Sequence, residues 1–551
     1  MSKGVSPSER GMPTPHDGTS AARQPNSAAL APADQRGLSL AQWLIILTVS
    51  TGALLEIIDV SITNVALLHI QASLGSTLAE VGWVVTGYAM ATVIMIPLSE
   101  WLGELFGQRR YFVFCLAGFT AASLLCGLAT NLPMLVLARI LQGLLGGGLL
   151  PKAQAILFRT VPPAFQGTAQ AVFGMVVLAG PALGPTLGGL LTDGLGWRWV
   201  FFINVPLGLL TVAMALAFLD DEVVSAAVSR RRPRIDSVGI ALMAVGLGSL
   251  QVVLEQGHQY DWFENQGIRA LALLAMVGLP SFVVWELRRR DPAVDLRVLR
   301  HRSLAAGSIF SFVLGIGLYG TIFVVPVFAQ TVLAYTATQT GLLLLPGALA
   351  SALTMAVLGR LSARLDPRVL IALGALSMVV TMVNLAAIGP DTGSDQLFWL
   401  LILRGVTTVM MFLPLSLATL GPLPRADVGA GSGFYNLSRQ LGGTFGIAIL
   451  TVTLDHQLAV HRAQLVEHLP STSPLLQQRL AQMQALLLDG GADAELAARQ
   501  SLELLSLTLD RQAALLAYGD VFRLVALVFL LAIPLVLLLG KGGSAQADAS
   551  R

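Results

Sequence analysis

The sequence predicts an all-α integral membrane protein of about fourteen transmembrane helices, two six-helix bundles with two helices inserted between them, and three observations lead there. Of the 551 residues, 54% are hydrophobic and only 12% charged, with a mean hydropathy of +0.72. That is more apolar surface than a soluble domain can bury. The hydrophobicity comes in blocks of about 20 residues, the length a helix needs to cross about 30 Å of hydrocarbon. Glycine and proline also recur at matching intervals in the two halves of the chain. A β-barrel would show alternating segments of about 10 residues, whereas stretches such as VGIALMAVGLGSLQVVL are continuously apolar.

The blocks place spans at about 43–70, 80–102, 111–129, 132–157, 167–192, 199–219, 236–256, 268–286, 304–330, 339–361, 369–388, 397–420, 428–454 and 519–540. Residues 1–40, rich in Ser, Pro, Ala and Gly, read as a disordered tail without a cleavable signal peptide. Residues 41–220 form the first bundle, 221–300 the inserted pair with its linkers, 301–541 the second bundle, and 542–551 a short tail. Arginines follow the even-numbered spans: Arg109 and Arg110, Arg159, the group Arg230, Arg231, Arg232 and Arg234, then Arg288 to Arg290, Arg364 and Arg368, and Arg425. Short basic loops stay cytoplasmic, so both termini are expected there. The long connection at about 455–516 then faces the periplasm and is expected to hold some amphipathic helix.

The repeat is read from spans 5 and 13. Gly167, Gly180 and Gly184 in the first and Gly429, Gly442 and Gly446 in the second share both intervals, and Pro151 and Pro414 align in the spans before them. Parallel repeats with a midplane site are a transporter design.

A charge inside a span costs about 2.5–3.5 kcal/mol on insertion scales, so each is a functional candidate. Span 1 places Glu56 and Asp59 on one helical face, with Thr63 next along it. Two carboxylates this close repel if both ionise, which suits a proton carrier. Span 4 holds Arg139 with Gln142 a turn away, a cation able to pair with Asp59 or Glu56 and to be released on their protonation. Lys152 lies about 20 Å further along that helix, where it is expected to snorkel to lipid headgroups. Spans 12 and 13 add Arg404, Asn436 and Arg439, the last facing neighbouring helices from among glycines.

Gly180, Gly184 and Gly188 form a small-residue face, and Pro181 and Pro185 favour bending. The connection after span 2, with Glu104, Gly107, Arg109 and Arg110, reads either as a topological signal or as a charge latch between helix ends. The net charge of +2 offers no reason to expect a nucleic-acid partner. Cys115 and Cys126 fall in one span, and His69, His258, His456, His461 and His468 are scattered, so neither disulfide nor metal nor any cofactor is expected. Nothing in the residues suggests an enzyme or a nucleotide-driven pump.

These residues resemble a family. D-V-S-I-T-N-V-A-L at Asp59–Leu67, which includes Asn64, R-I-L-Q-G at Arg139–Gly143 and G-P-A-L-G-P-T-L-G-G at Gly180–Gly189 are similar to the motifs of the fourteen-span drug:proton antiporters of the major facilitator superfamily. W-R-W-V-F-F-I-N-V-P-L-G, G-S-L-Q-V-V-L-E-Q-G and D-W-F narrow the resemblance to EmrB-like multidrug export permeases. The resemblance spans residues 43–540. It implies the major facilitator fold, a bacterial inner membrane, and proton-driven export of bulky hydrophobic compounds by alternating access. A periplasmic adaptor and an outer-membrane channel are implied as partners. Asp59 carries over as the proton or cation-sensing site, Arg139 as the coupling residue, and Gly180 to Gly189 as the antiporter packing face. An exporter or symporter of one metabolite, siderophore or lipid is the alternative on the same fold. Three places depart from the family pattern. Leu68 stands where Pro is usual; Glu100, Glu104 and Leu105 stand where Gly and Asp-Arg are usual, with Glu104 as the substitute acid; and Lys152 is unusual.

Overall fold

The computed structural model describes residues 37–220, 235–362, 364–389, 394–470 and 473–539, and every regular element among them is helical. Residues 1–36 and 540–551, which hold most of the expected tails, and the arginines at 230–234 lie outside the described residues. The first half comprises α1 (Leu40–Leu74), α2 (Leu78–Phe106), α3 (Gln108–Gly127), a fourth span in two pieces, α4 (Leu132–Gly146) and α5 (Leu149–Thr160), α6 (Gln166–Leu195), and a sixth span of α7 (Trp199–Phe202) and α8 (Asn204–Phe218). The inserted pair is α9 (Ser237–Gln256) and α10 (Gln266–Arg288). The second half comprises α11 (Arg302–Thr331), α12 (Ala337–Leu361), α13 (Pro367–Ala386), α14 (Ser394–Leu420), α15 (Val428–Glu467), α16 (Pro474–Asp489) and α17 (Ala494–Ala532). Among the described residues, 13 helices are long and apolar enough to cross a membrane, or 14 when the two arms of α6, bent by 49° after Pro181, count as one. The freed backbone at that proline makes the bend possible.

The repeat is visible in register. Thr77 and Glu80 form a capping box that starts α2, and Thr336 and Gln339 form the same device at the start of α12. Each satisfies two backbone donors that a helix start leaves open. On α6, Gly180 and Gly184 face Ile57 and Ser61 of α1, while on α15, Gly442 and Gly446 face Phe312 and Ile316 of α11. Between halves, Gly167 of α6 faces Ser362 after α12, and Gly429 of α15 faces Glu100 of α2. The same two glycine intervals thus make one contact inside each half and one across the divide.

At Gly442 a side chain would fall on the Phe312 carbonyl, a backbone atom that cannot rotate away. Gly442→Ala is therefore expected to cost about 1–3 kcal/mol, read as a lower melting temperature of the purified protein. Gly189→Ala, where a Cβ meets nothing within 4 Å, is expected to be silent. Equal melting temperatures for the two variants would refute the assigned packing.

The long connection is more regular than expected. α15 runs 40 residues and α17 runs 39, each about 60 Å, twice the hydrocarbon thickness. Together with α16 they carry the fold well beyond the membrane. Arg462 to Asp510 (2.6 Å) and His461 to Asp520 (2.8 Å) tie α15 to α17 there.

Candidate functional site

Asp59, on α1, is wholly buried, and so is Arg139 on α4. Their side chains form an ion pair through Arg139 Nη1 and Asp59 Oδ2. Neighbouring amides and a backbone carbonyl help to hold it. Gln142 Nε2 donates to Asp59 Oδ1 at 3.0 Å, and Asn204 Nδ2, from the first residue of α8, donates to the same oxygen at 2.8 Å. Arg139 Nη1 also donates to Gln142 Oε1 (2.8 Å), and its Nε to the Val84 carbonyl (3.1 Å). The guanidinium lies 4.1 Å from the centre of the Tyr88 ring, a cation–π contact. A buried charge pair is tolerable only when its spare lone pairs and protons are satisfied in this way.

The local sequence explains the placement. Gly143 and Gly147 face the backbone of Tyr88 and Thr92, so α4 lies directly on α2 and the arginine one turn away reaches across to α1. The fourth span then breaks at Gly147 and Gly148, which frees backbone donors at the start of α5. Glu56 Oε2 accepts one of them, the Leu150 N–H, at 3.0 Å. Glu56 and Asp59 share a face of α1 as expected, but only Asp59 pairs with Arg139. Glu56 instead holds the break in the span.

A second polar assembly lies where the halves meet. Lys152 is 1% exposed and its ammonium donates to Glu100 Oε2 at 2.6 Å and to Gln108 Oε1 at 2.5 Å. The expectation that Lys152 snorkels to headgroups is thereby corrected: α2 and α3 supply the acceptors, and α15 roofs the site through Gly429. Arg159 adds a third contact to Glu100 at 2.6 Å. The acid of the loop region is thus Glu100 and not Glu104, which is exposed and makes no ion pair among the described residues. Arg109 donates to the Leu216 carbonyl at 2.6 Å, Arg110 is exposed, and Gly107 turns the chain with φ 94°. Beside this cluster, Ser432 and Asn436 of α15 bond Pro151 and Gln154 of α5 at 2.8 and 2.7 Å, and Arg439 bonds Asn436 and Tyr319 at 2.9 and 2.8 Å. Among the described residues the Arg404 side chain donates to Thr321, at 3.2 Å, and Asn64 is exposed, away from the network. Gly180, Gly184 and Gly188 pack on α1, the helix of Asp59; Pro181 accepts from Ser61 at 3.4 Å; the Pro185 side chain lies outside the described set.

Asn204, Tyr88, Glu100, Gln108 and Gln154 were not singled out as site residues from sequence. Asn204 had a signal, as a lone amide opening an otherwise apolar span. Glu100 stood out only as a departure from the family pattern, and Tyr88, Gln108 and Gln154 read as ordinary helix residues until their neighbours are known.

Comparison with known proteins places this architecture. The profile of the Major Facilitator Superfamily matches residues 49–447. The chain belongs to that superfamily. It is 32% identical over 507 residues to the multidrug export protein EmrB of Escherichia coli K12, with 91% of this chain and 96% of that protein covered. It is 31% identical to the fatty acid resistance protein FarB of Neisseria gonorrhoeae and 28% identical to the colistin resistance protein EmrB of Acinetobacter baumannii, each with 91% of this chain and 96% of the relative covered. The proton:xylose symporter XylE superposes with a TM-score of 0.56 at 13% identity, covering 88% of this chain and 94% of that one, which shows the fold alone. This facilitator is accordingly a multi-pass membrane transporter of the EmrB type and not an enzyme.

Proposed function

We propose that this facilitator is a proton-driven efflux permease that exports hydrophobic drugs or toxic compounds across the bacterial inner membrane by alternating access. The observation that carries the reading is the buried Asp59–Arg139 pair. A carboxylate in a membrane interior with one fixed cation is a group whose protonation removes a counter-ion and thereby changes helix packing. The export direction is supported by its relatives, which are a multidrug export protein and proteins of fatty acid and colistin resistance. Asp59 is the proton site, Arg139 the coupling residue, and Glu56 the second carboxylate of the pathway. The glycine face of α6 carries movement of α1 to the rest of the fold. Both termini lie in the cytoplasm, so the Glu100, Lys152 and Arg159 cluster closes the cytoplasmic side. The extended α15 to α17 region then projects into the periplasm, where an adaptor and an outer-membrane channel complete a tripartite pump. No cofactor takes part, and the proton gradient is the energy source.

Expression in an efflux-deficient Gram-negative host, with and without the matching adaptor, tests the substrate class. Raised resistance to several unrelated hydrophobic compounds, larger with the adaptor, is the expected result. Unchanged susceptibility to every one of them would reject multidrug export and favour a single dedicated metabolite, siderophore or lipid.

A further inference from the structure

We propose that Glu255, on the inserted helix α9, is a further proton-binding carboxyl outside the Asp59 and Glu56 pathway, placed where the inserted pair meets both halves of the transporter. The inference rests on the proton-driven reading above and adds a role for the two helices that a twelve-helix repeat does not need.

Glu255 stands one residue before the end of α9. Its Oε1 accepts from Gln251 Nε2 at 2.7 Å, while Oε2 is shielded from solvent and has no well-aligned hydrogen bond among the described residues. Among the described residues no cation pairs with it. The titratable groups near this end of the helix are His258, three residues on, and Asp455 of α15, which face each other at 3.1 Å and are about half exposed. The facing residue of α2 is a neutral one, Thr86. A carboxyl so placed, one turn from a water-exposed His–Asp pair and without a counter-ion among the described residues, has a route to bulk protons and only neutral groups, the Gln251 amide and the Thr86 hydroxyl, to support its charged form.

Its neighbours give the charge state something to act on. Gln251 Nε2 is shared between Glu255 and Thr444 Oγ1 of α15, the latter at 3.1 Å, and Gln256 donates to Thr86 of α2 at 2.7 Å. The stretch Gln251–Gln256 therefore bonds the second half through one amide and the first half through the other. One proton from bulk water adds to the carboxylate and gives the neutral acid; the reverse step returns it. The neutral acid gains an O–H donor and holds the Gln251 amide less strongly, since charge-assisted hydrogen bonds are the stronger kind. The amide is then free to bind Thr444 more tightly, which links proton uptake to the seam between α9 and α15.

The test uses the full chain in liposomes with ethidium as probe and an imposed pH gradient. Glu255→Gln is expected to flatten the pH dependence of ethidium uptake and lower its gradient-driven component about tenfold, with Glu255→Asp restoring the pH dependence. Difference infrared spectroscopy after a pH jump is expected to lose one carboxylic acid C=O component in Glu255→Gln. An unchanged pH profile together with an unchanged infrared difference overturns the proposal. If Glu255→Gln does not reach the membrane, Glu255→Asp is expected to shift the midpoint of the pH profile, and an unmoved midpoint overturns it. Wild-type uptake that ignores the gradient would instead sink the proton-driven reading itself, a separate outcome.

Discussion

Asp59→Asn is expected to abolish gradient-driven transport, lowering the rate by about a hundredfold or more, because the amide keeps the shape of the carboxylate and cannot take up a proton. Asn at this position can still accept from Gln142 and Asn204, so those contacts survive. Arg139 keeps Val84, Gln142 and Tyr88 but loses its only ion-pair partner. Removing one member of a buried pair strands the other, at a cost of about 3–5 kcal/mol. The variant should therefore melt earlier than wild type as well as lose coupling. Arg139→Gln added to Asp59→Asn is expected to recover much of the lost stability and none of the coupling, since it removes the stranded charge without restoring an acid. Proteoliposome uptake and thermal unfolding separate the two effects. Wild-type uptake in Asp59→Asn would remove the site from the proton pathway altogether.

The second large effect concerns Lys152. Lys152→Leu leaves Glu100 with Arg159 and Gln108, whereas Glu100→Gln leaves two cations, Lys152 and Arg159, crowded at the same place. Both single changes are expected to destabilise the protein, Glu100→Gln more so, by about 3–5 kcal/mol. The pair is also expected to be coupled. Glu100→Gln combined with Lys152→Leu should cost about 2 kcal/mol less than the sum of the single changes, because each removes the reason the other is needed. Additive losses across that double-mutant cycle would mean that the two residues do not support one another.

The apolar blocks made the helices legible because the bilayer leaves a backbone no other way to satisfy its donors and acceptors. The Asp59–Arg139 pairing was legible as one of two options, since an intramembrane cation needs an anion and α1 offered two. Which of them it takes depends on how far Gly143 and Gly147 let α4 approach α2, and spacing along one helix cannot show that. The glycine intervals exposed the repeat, but they did not say which glycines face the same half and which face the other. Lys152 was misread for a physical reason. A lysine near a helix end normally extends its stem toward water, and only the packing of α15 over that end turns it inward to an acid 52 positions earlier in the chain. The helix of span 13 runs past the expected end at about 454 and that of span 14 begins before the expected start at about 519, because α15 and α17 are longer than a membrane crossing. Outside it they continue as helices held by side-chain pairs such as Arg462–Asp510, which hydropathy does not register.

The two crossing points between halves are alike in shape and opposite in their relation to water. Where α6 meets α12, Gly167, Ala171 and Gly174 lie against Ser362, Gly359 and Met355. Separating those surfaces wets mainly apolar atoms, at a cost. Where α2 meets α15, the atoms beneath Gly429 are a carboxylate with an ammonium and a guanidinium that folding has stripped of hydration. Water entering there is welcomed by three charges. Parting the halves is thus opposed along one crossing and partly repaid along the other, so hydration of a few ions favours release along one side of the seam.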